Sequence, residues 1–290
     1  MIRKLILRHS LDIGDTLMMT IAVRDLHLAY PNEYQTDTRT RWPDIWLNNP
    51  YITKIADGQG EILDIGYPLI QNSGSLSFSD GFRLDLASQL NIEIPWTSMN
   101  PDLHLTNEEK LENIVEKEFN YPGKYWVINA GYKGDAILKY YPFWREVANL
   151  LKNKIQLVQI GAGTAENDEL ENVYSLVGKT NVRDLFKVIY RSEGTIGPLS
   201  MQFIVGAAFG KPSVVVAGGK EPPRWQMYNN HRYLTVCGCL HCAPNNGCWT
   251  AKYQDCKNRV GGIPRCYAMI RPEDVARAVM LYYEGGLLSH

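Results

Sequence analysis

A chain of 290 residues with 30 basic and 31 acidic side chains has length for two domains, each burying its own core, and its net charge of −1 offers no electrostatic footprint for a nucleic acid. The apolar core of the opening MIRKLILRHS is too short for a signal peptide, and nowhere do the roughly 18 apolar residues of a bilayer-spanning helix occur in a row. The cytoplasm is therefore the expected location, and a transmembrane segment is not expected.

The apolar run Lys4 to His9 reads as a strand, SLDIGD as a tight turn, and TLMMTIAVRDLHLAY as a helix ending before Pro31. Together they open a βαβ unit. Glu61 to Tyr67 is a further strand-like run and Gly81 to Leu90 a helical one, so the N-terminal part reads as a parallel sheet wrapped by helices. Thr106 and Glu109 stand as a capping box before TNEEKLENIVEKEF, and a domain boundary is placed in this helix, dividing the chain into 1–116 and 117–290.

A second alternation follows: strand YWVINAG, helix PFWREVANLL, strand IQLVQIGAG, the short VYSLVGKT and helix NVRDLFKVIYRS. It continues through GTIGP, the helical SMQFIVGAAFG, strand KPSVVVAGG, a cysteine-rich segment at 237–266, and a last helix from Pro272 beside Glu273 and Asp274. The expected fold class is α/β: two Rossmann-like doubly wound domains facing across a cleft, with a C-terminal cysteine-rich, metal-binding insertion. Ligands of such sheets bind outside the carboxyl ends of the strands.

Several residues could carry chemistry there. Asp15, in the first strand-to-helix turn, is placed to be a general base or simply to cap the helix. Lys139 precedes an aromatic-Pro-aromatic helix start, where its charge could neutralise a diphosphate or be merely solvated. Ser200 and the N–H groups after it open a helix, which is an anion site or an ordinary helix start. Gly161 and Gly163 lack the third glycine of a dinucleotide fingerprint, and Gly178–Thr180 lacks the first glycine of a phosphate loop.

The six cysteines are Cys237, Cys239, Cys242, Cys248, Cys256 and Cys266. Cys239-x2-Cys242 has zinc-knuckle spacing, and a structural zinc or iron is the leading reading, with disulfides or free thiols as alternatives. Four ligands close such a site. Cys242, Cys248, Cys256 and Cys266 are taken as the set, with Cys239 the alternative; no catalytic metal is expected.

In these segments the chain resembles glycosyltransferase family nine, the ADP-heptose:lipopolysaccharide heptosyltransferases, and a cysteine-bearing branch of their relatives. IGDTLMMTIAVRDLHLAYP is similar to the family's Gly-Asp turn and first helix, NNPYITKI to the end of its next element, and KYYPFWREVANLL to its Lys-x-Trp-Pro helix start. LVGKTNVRDLFKVIYRSEGTIG resembles the Gly-x-Thr loop and its helix, and AAFGKPSVVVAGG the strand after the sugar-binding helix. GGKEPPRW, GCW and PRCYAMI resemble the cysteine-bearing branch, in which autotransporter heptosyltransferases carry a cysteine-bound metal.

The resemblance implies a GT-B arrangement and inverting transfer of a sugar from a nucleotide diphosphate donor, ADP-linked, to a glycan, lipid-linked or protein hydroxyl. Asp15 matches the general base, and Lys139 the residue that steadies the departing diphosphate. Gly14, Thr16, Asn129, Gly131, Thr180, Ser200, Met201, Gln202 and Glu221 fall in the segments implied to hold the nucleotide sugar. A homo-oligomer is compatible with this reading. The chain departs from the pattern at Leu199 and Ile204, which stand near the family's Asp and His. That departure leaves an alternative: a non-catalytic sugar-nucleotide-binding or assembly protein descended from the same fold.

Overall fold

The computed structural model describes residues 2–68, 76–132, 139–164, 166–219, 221, 223–235, 256 and 258–289. The chain divides into two compact units, Met1–Glu109 with Arg224–Tyr228, and Lys110–Pro223 with Asn229–His290.

In the first unit the opening apolar run forms β1 (Arg3–Arg8), with Leu5, Ile6 and Leu7 buried. Its parallel neighbours are β2 (Tyr34–Arg39) and β3 (Glu61–Asp64), in the order β2-β1-β3. A central strand covered on both faces needs such a continuous apolar run. The long helix α1 (Ile13–Ala29) packs on α2 (Phe78–Leu90).

Three local readings change. Helix α1 starts at Ile13 with Asp12 as N-cap, so SLDIGD is only partly a turn. Helix α2 starts at Phe78 rather than Gly81, because the Ser77 hydroxyl accepts from Asp80 N at 3.1 Å while the Asp80 carboxylate accepts from Ser77 N at 3.2 Å. The strand β2 is a polar sequence that no apolar run announces. It is held at the sheet edge in part by buried Asp37, which accepts from Arg39 at 2.6 Å and from Ile55 N at 2.9 Å.

The single helix expected over 106–119 is two: α3 (Asn107–Leu111) and α4 (Ile114–Phe119). The Thr106–Glu109 box does start the first, with Thr106 N donating to Glu109 at 2.8 Å. Asn113 then restarts the helix by accepting from Glu116 N at 3.2 Å. Glu112, at the break, is tied to Lys117 and Lys187 at 2.7 Å each, and those bonds pull its pKa down to about 2.

The second unit is built on a six-stranded parallel sheet. Its strands are β4 (Tyr125–Asn129), β6 (Gln156–Ile160), β8 (Tyr174–Ser175), β9 (Gly194–Pro198), β10 (Ser213–Gly218) and β11 (His231–Thr235), in the order β11-β10-β9-β4-β6-β8. A small antiparallel pair, β5 (Gly131–Tyr132) with β7 (Glu166–Asn167), extends past the ends of β4 and β6. Trp126 and Ile128 of β4 enter a core with α5 (Trp144–Leu151) and α9 (Pro272–Glu284), while Val127, equally buried, points to the opposite face. Helices α6 (Val182–Arg191) and α7 (Met201–Ala208) pack on each other. A hairpin, β12 (Arg259–Val260) and β13 (Ile263–Pro264), leads into the short α8 (Arg265–Ala268).

Among the described residues no helix is long and apolar enough to cross a membrane.

Candidate functional site

In each unit the chain leaves a central strand in two directions, and the carboxyl ends of the strands at that reversal form a crevice. In the first unit the reversal lies between β1 and β3, because β2 and β3 flank β1 on opposite sides. The segment after β1, His9 to Asp15, is therefore at the crevice. Asp15 is half-buried at the third helical position of α1, where its Oδ2 accepts from Asp12 N at 3.1 Å. It closes a capping box without being the N-cap. Gly14 is half-buried beside it, and Thr16 is fully buried with its hydroxyl donating to the Asp12 carbonyl at 3.2 Å.

His9 was not singled out in the sequence, where it is one residue at a strand end. Its Nδ1 accepts from Leu11 N at 3.0 Å, which puts the ring proton of the neutral form on Nε2. Burial lowers its pKa to about 4, so the ring is neutral at pH 7. Beside it lies an aromatic cluster: His9 and Tyr67 each approach Phe82, while Tyr67 and Trp225 meet Phe78.

In the second unit β6 and β8 lie on one side of β4, and β9, β10 and β11 on the other, so the reversal is between β4 and β9. The residues expected from Asn129 to Gly131 and from Ser200 to Gln202 fall at these two strand ends. Three of them are joined: Asn129 Oδ1 accepts from Gly131 N at 3.0 Å, and Asn129 Nδ2 donates to Gln202 Oε1 at 3.2 Å. Gln202, fully buried, in turn donates to the Pro198 carbonyl at 2.7 Å. Ser200 is the N-cap of α7 in extended backbone, and its hydroxyl makes no capping bond. Ser200 and Met201 are half-buried. Leu199 and Ile204 are 1% and 3% exposed, so both positions of departure are apolar core.

Gly131 has a steric reason to be glycine. A Cβ there would stand 2.3 Å from Asn167 Oδ1, and one on Gly161 would stand 2.1 Å from the same atom. Next to Gly131, the Tyr132 hydroxyl donates to Glu166, and that bond pushes its pKa up to about 12.

Lys139 and Glu221 are brought together. The Lys139 ammonium lies 3.6 Å from a Glu221 carboxylate oxygen, with the carboxylate buried at 3% exposure. Lys139 is set by the residues after it: Tyr140 donates to Asp168 at 3.2 Å, and Tyr141, fully buried, donates to the Ile270 carbonyl at 2.8 Å. Glu221 follows the turn at Gly218, whose φ of +57° and closeness to Tyr267, 2.8 Å from a Cβ placed there, both require glycine. Thr180 lies in a different loop, the one after β8. It follows Gly178, which packs Cα to Cα on Gly163, with Gly178 N donating to the Gly161 carbonyl at 3.0 Å. Both glycine motifs are thus used on each other.

Of the cysteines expected to hold a metal, Cys239, Cys242 and Cys248 lie outside the described residues. Cys256 is half-buried, its thiol donating to the Asn258 carbonyl at 3.3 Å, and Cys266 is buried on α8. Arg265 N also donates to the Asn258 carbonyl, at 2.9 Å, so the hairpin returns the Cys266 segment to the Cys256 segment. Among the described residues no group of three or more His, Cys, Asp or Glu could hold a metal ion.

No protein-family model matches the chain, and no curated protein matches it by sequence. Solved structures do match. The dodecameric iron-containing heptosyltransferase TibC of enterotoxigenic E. coli, seen in complex with ADP-D-β-D-heptose, superposes with a TM-score of 0.72, over 98% of this chain and 76% of its own, at 14% identity. The fold is that of the heptosyltransferases. The E. coli ADP-heptose lipopolysaccharide heptosyltransferase II matches with a TM-score of 0.66 over 99% of this chain and 100% of its own, at 14% identity. A family nine glycosyltransferase from Veillonella parvula matches with a TM-score of 0.63 over 81% of this chain and 86% of its own, at 13% identity. At such identities the likeness is one of fold.

Proposed function

We propose that the chain is an inverting glycosyltransferase that moves a sugar, heptose or a relative, from an ADP-linked donor to a hydroxyl of a glycan, lipid-linked or protein acceptor. The observation that carries this reading is the coincidence of Asn129, Gly131, Ser200, Met201 and Gln202 with the strand-order reversal of the second unit. The likeness of nearly the whole chain to a structure with bound ADP-D-β-D-heptose supports the donor class. In this reading the N-terminal domain presents the acceptor and the C-terminal domain the donor, in the cytoplasm.

Asp15 takes the proton from the acceptor hydroxyl as that oxygen attacks the anomeric carbon. The sugar–phosphate bond breaks with inversion, and the electron pair leaves on the diphosphate. Lys139 and the first N–H groups of α7 offset the charge that develops on that leaving group. Cys242, Cys248, Cys256 and Cys266, with Cys239 as the alternative, would hold iron or zinc and brace the C-terminal segment, in keeping with the iron of TibC, and a homo-oligomer belongs to the same reading. A metal held by four thiolates supplies folding energy and no chemistry at the sugar.

The buried, apolar Leu199 and Ile204 favour one second reading, a protein that binds nucleotide sugars without transferring them. Thermal stabilisation by a panel of nucleoside diphosphates and their sugars tests both. A ligand at a hundredfold its Kd stabilises the folded state by about 2.7 kcal/mol. A selective shift with release of diphosphate on adding acceptor supports transfer, a shift without turnover supports the second reading, and no shift with any nucleotide refutes both.

A further inference from the structure

Among the described lysine pairs of its unit, Lys139–Glu221 shares its loose spacing with Lys124–Glu193, at 3.5 Å, but its carboxylate is 3% exposed against 17% for Glu193. Lys187 is locked at 2.7 Å to both Glu112 and Asp184, and Lys179 lies 2.8 Å from Glu118. At 3.6 Å the Lys139 pair lies beyond the distance of a charge-assisted hydrogen bond, so the two groups attract without being locked. The Lys139 side chain is 32% exposed against 3% for Glu221, so the cation can turn to a ligand and the carboxylate cannot follow. The pair also bridges two loops, one following β4 and β5 and one following β10. Of these strands β4 and β10 flank β9, and α7 begins where β9 ends.

We propose that Glu221 is a positioning residue acting through Lys139: it is the counter-charge that a diphosphate must displace. The inference rests on the donor reading above. In the empty protein Glu221 holds the ammonium at the mouth of the crevice and neutralises it. A diphosphate draws Lys139 away, leaving a buried carboxylate with one cation fewer, and this cost weakens diphosphate binding. The same cost favours release of the diphosphate after transfer, as Lys139 returns to Glu221. Glu221 thus trades affinity for exchange.

The test is calorimetric binding of ADP, UDP, GDP, pyrophosphate and adenosine to the wild type, Glu221→Gln, Lys139→Met and the double variant. Removing one opposing charge at this range is expected to tighten binding of the diphosphates about tenfold. Adenosine, which has no phosphate, is expected to bind with unchanged affinity. In the Lys139→Met background the tightening is expected to vanish. Glu221→Asp, which withdraws the carboxylate by one methylene, is expected to give a smaller gain and serves if Glu221→Gln does not fold.

Tightening that persists without Lys139 overturns the inference, since it is then direct repulsion by the carboxylate. An equal gain for adenosine overturns it as a general change of shape. Weaker binding in Glu221→Gln also overturns it, making Glu221 a ligand contact. Wild-type binding that Glu221→Gln leaves unaltered removes the counter-charge role alone. Absence of diphosphate binding in every variant removes the donor reading with it.

Discussion

Replacing Asp15 by Asn separates the two roles that the residue can hold. Its carboxylate accepts from Asp12 N at 3.1 Å, and an Asn carbonyl oxygen can accept the same bond. What Asn loses is a negative charge in the first turn of α1, which contributes about 0.3–1 kcal/mol at a helix N-terminus. In a protein of this size that shifts the unfolding midpoint by about 2–4 °C at most, so at 25 °C the variant remains folded. A general base that deprotonates the acceptor contributes about 10²- to 10⁴-fold in rate, and Asn cannot take the proton. Asp15→Asn is therefore expected to lose at least a hundredfold in turnover while melting near the wild type and binding nucleoside diphosphate as before. Asp15→Ala, which also removes the acceptor of the capping bond, is expected to melt lower than Asp15→Asn with the same loss of turnover. The measurements are initial rates of diphosphate release with acceptor present, paired with scanning calorimetry of each variant. Turnover by Asp15→Asn within about threefold of the wild type, far from the effect of a lost base, would refute the reasoning and leave Asp15 a capping residue.

Gly194→Ala puts a Cβ 2.6 Å from the Trp126 ring and 2.8 Å from the Pro212 carbonyl, so it is expected to cost about 1–3 kcal/mol by overpacking; a urea midpoint equal to that of the wild type would contradict the packing. Burial lowers the pKa of both His9 and His231 to about 4, against about 6.5 in an unfolded chain. The unfolded state therefore binds more protons between these values, and stability is expected to fall as pH drops from 6.5 to 4, with a shallower slope in His9→Gln and His231→Gln. For Asp168 the sign reverses: burial, the largest influence, raises its pKa, so stability present at low pH is lost as pH rises through the folded value. Asp168→Asn is accordingly expected to raise the melting midpoint at pH 7 and not at pH 3, as read by calorimetry at both.

The elements that were legible are those whose sequence has one dominant physical demand. Buried central strands such as Leu5–Leu7 and Tyr125–Ile128 must be continuously apolar, and helices such as α9 announce a proline start and an acidic first turn. Two of the strands that escaped, β2 and β11, are at sheet edges, where one side has no partner strand and polar sequences such as YQTDTR and HRYLT are tolerated. The break at Glu112 has a local mark in the Asn113–Glu116 cap, but the bond from Lys187, 75 residues away, that holds the Glu112 carboxylate leaves no local trace.

The candidate site divides along the same line. Strand–turn–helix order brings Asp15 and Ser200 to carboxyl ends of strands, and that order can be read locally. The Asn129–Gln202 bond spans 73 residues, and the Lys139–Glu221 contact joins loops after β5 and β10. Neither follows from any spacing, because each depends on which strands become neighbours. Sequence can therefore nominate Lys139 as a cation for a diphosphate, but whether that cation stands free or already has a counter-charge is a property of strand order. That property is what makes the affinity for diphosphate, rather than its presence, the informative measurement on this protein.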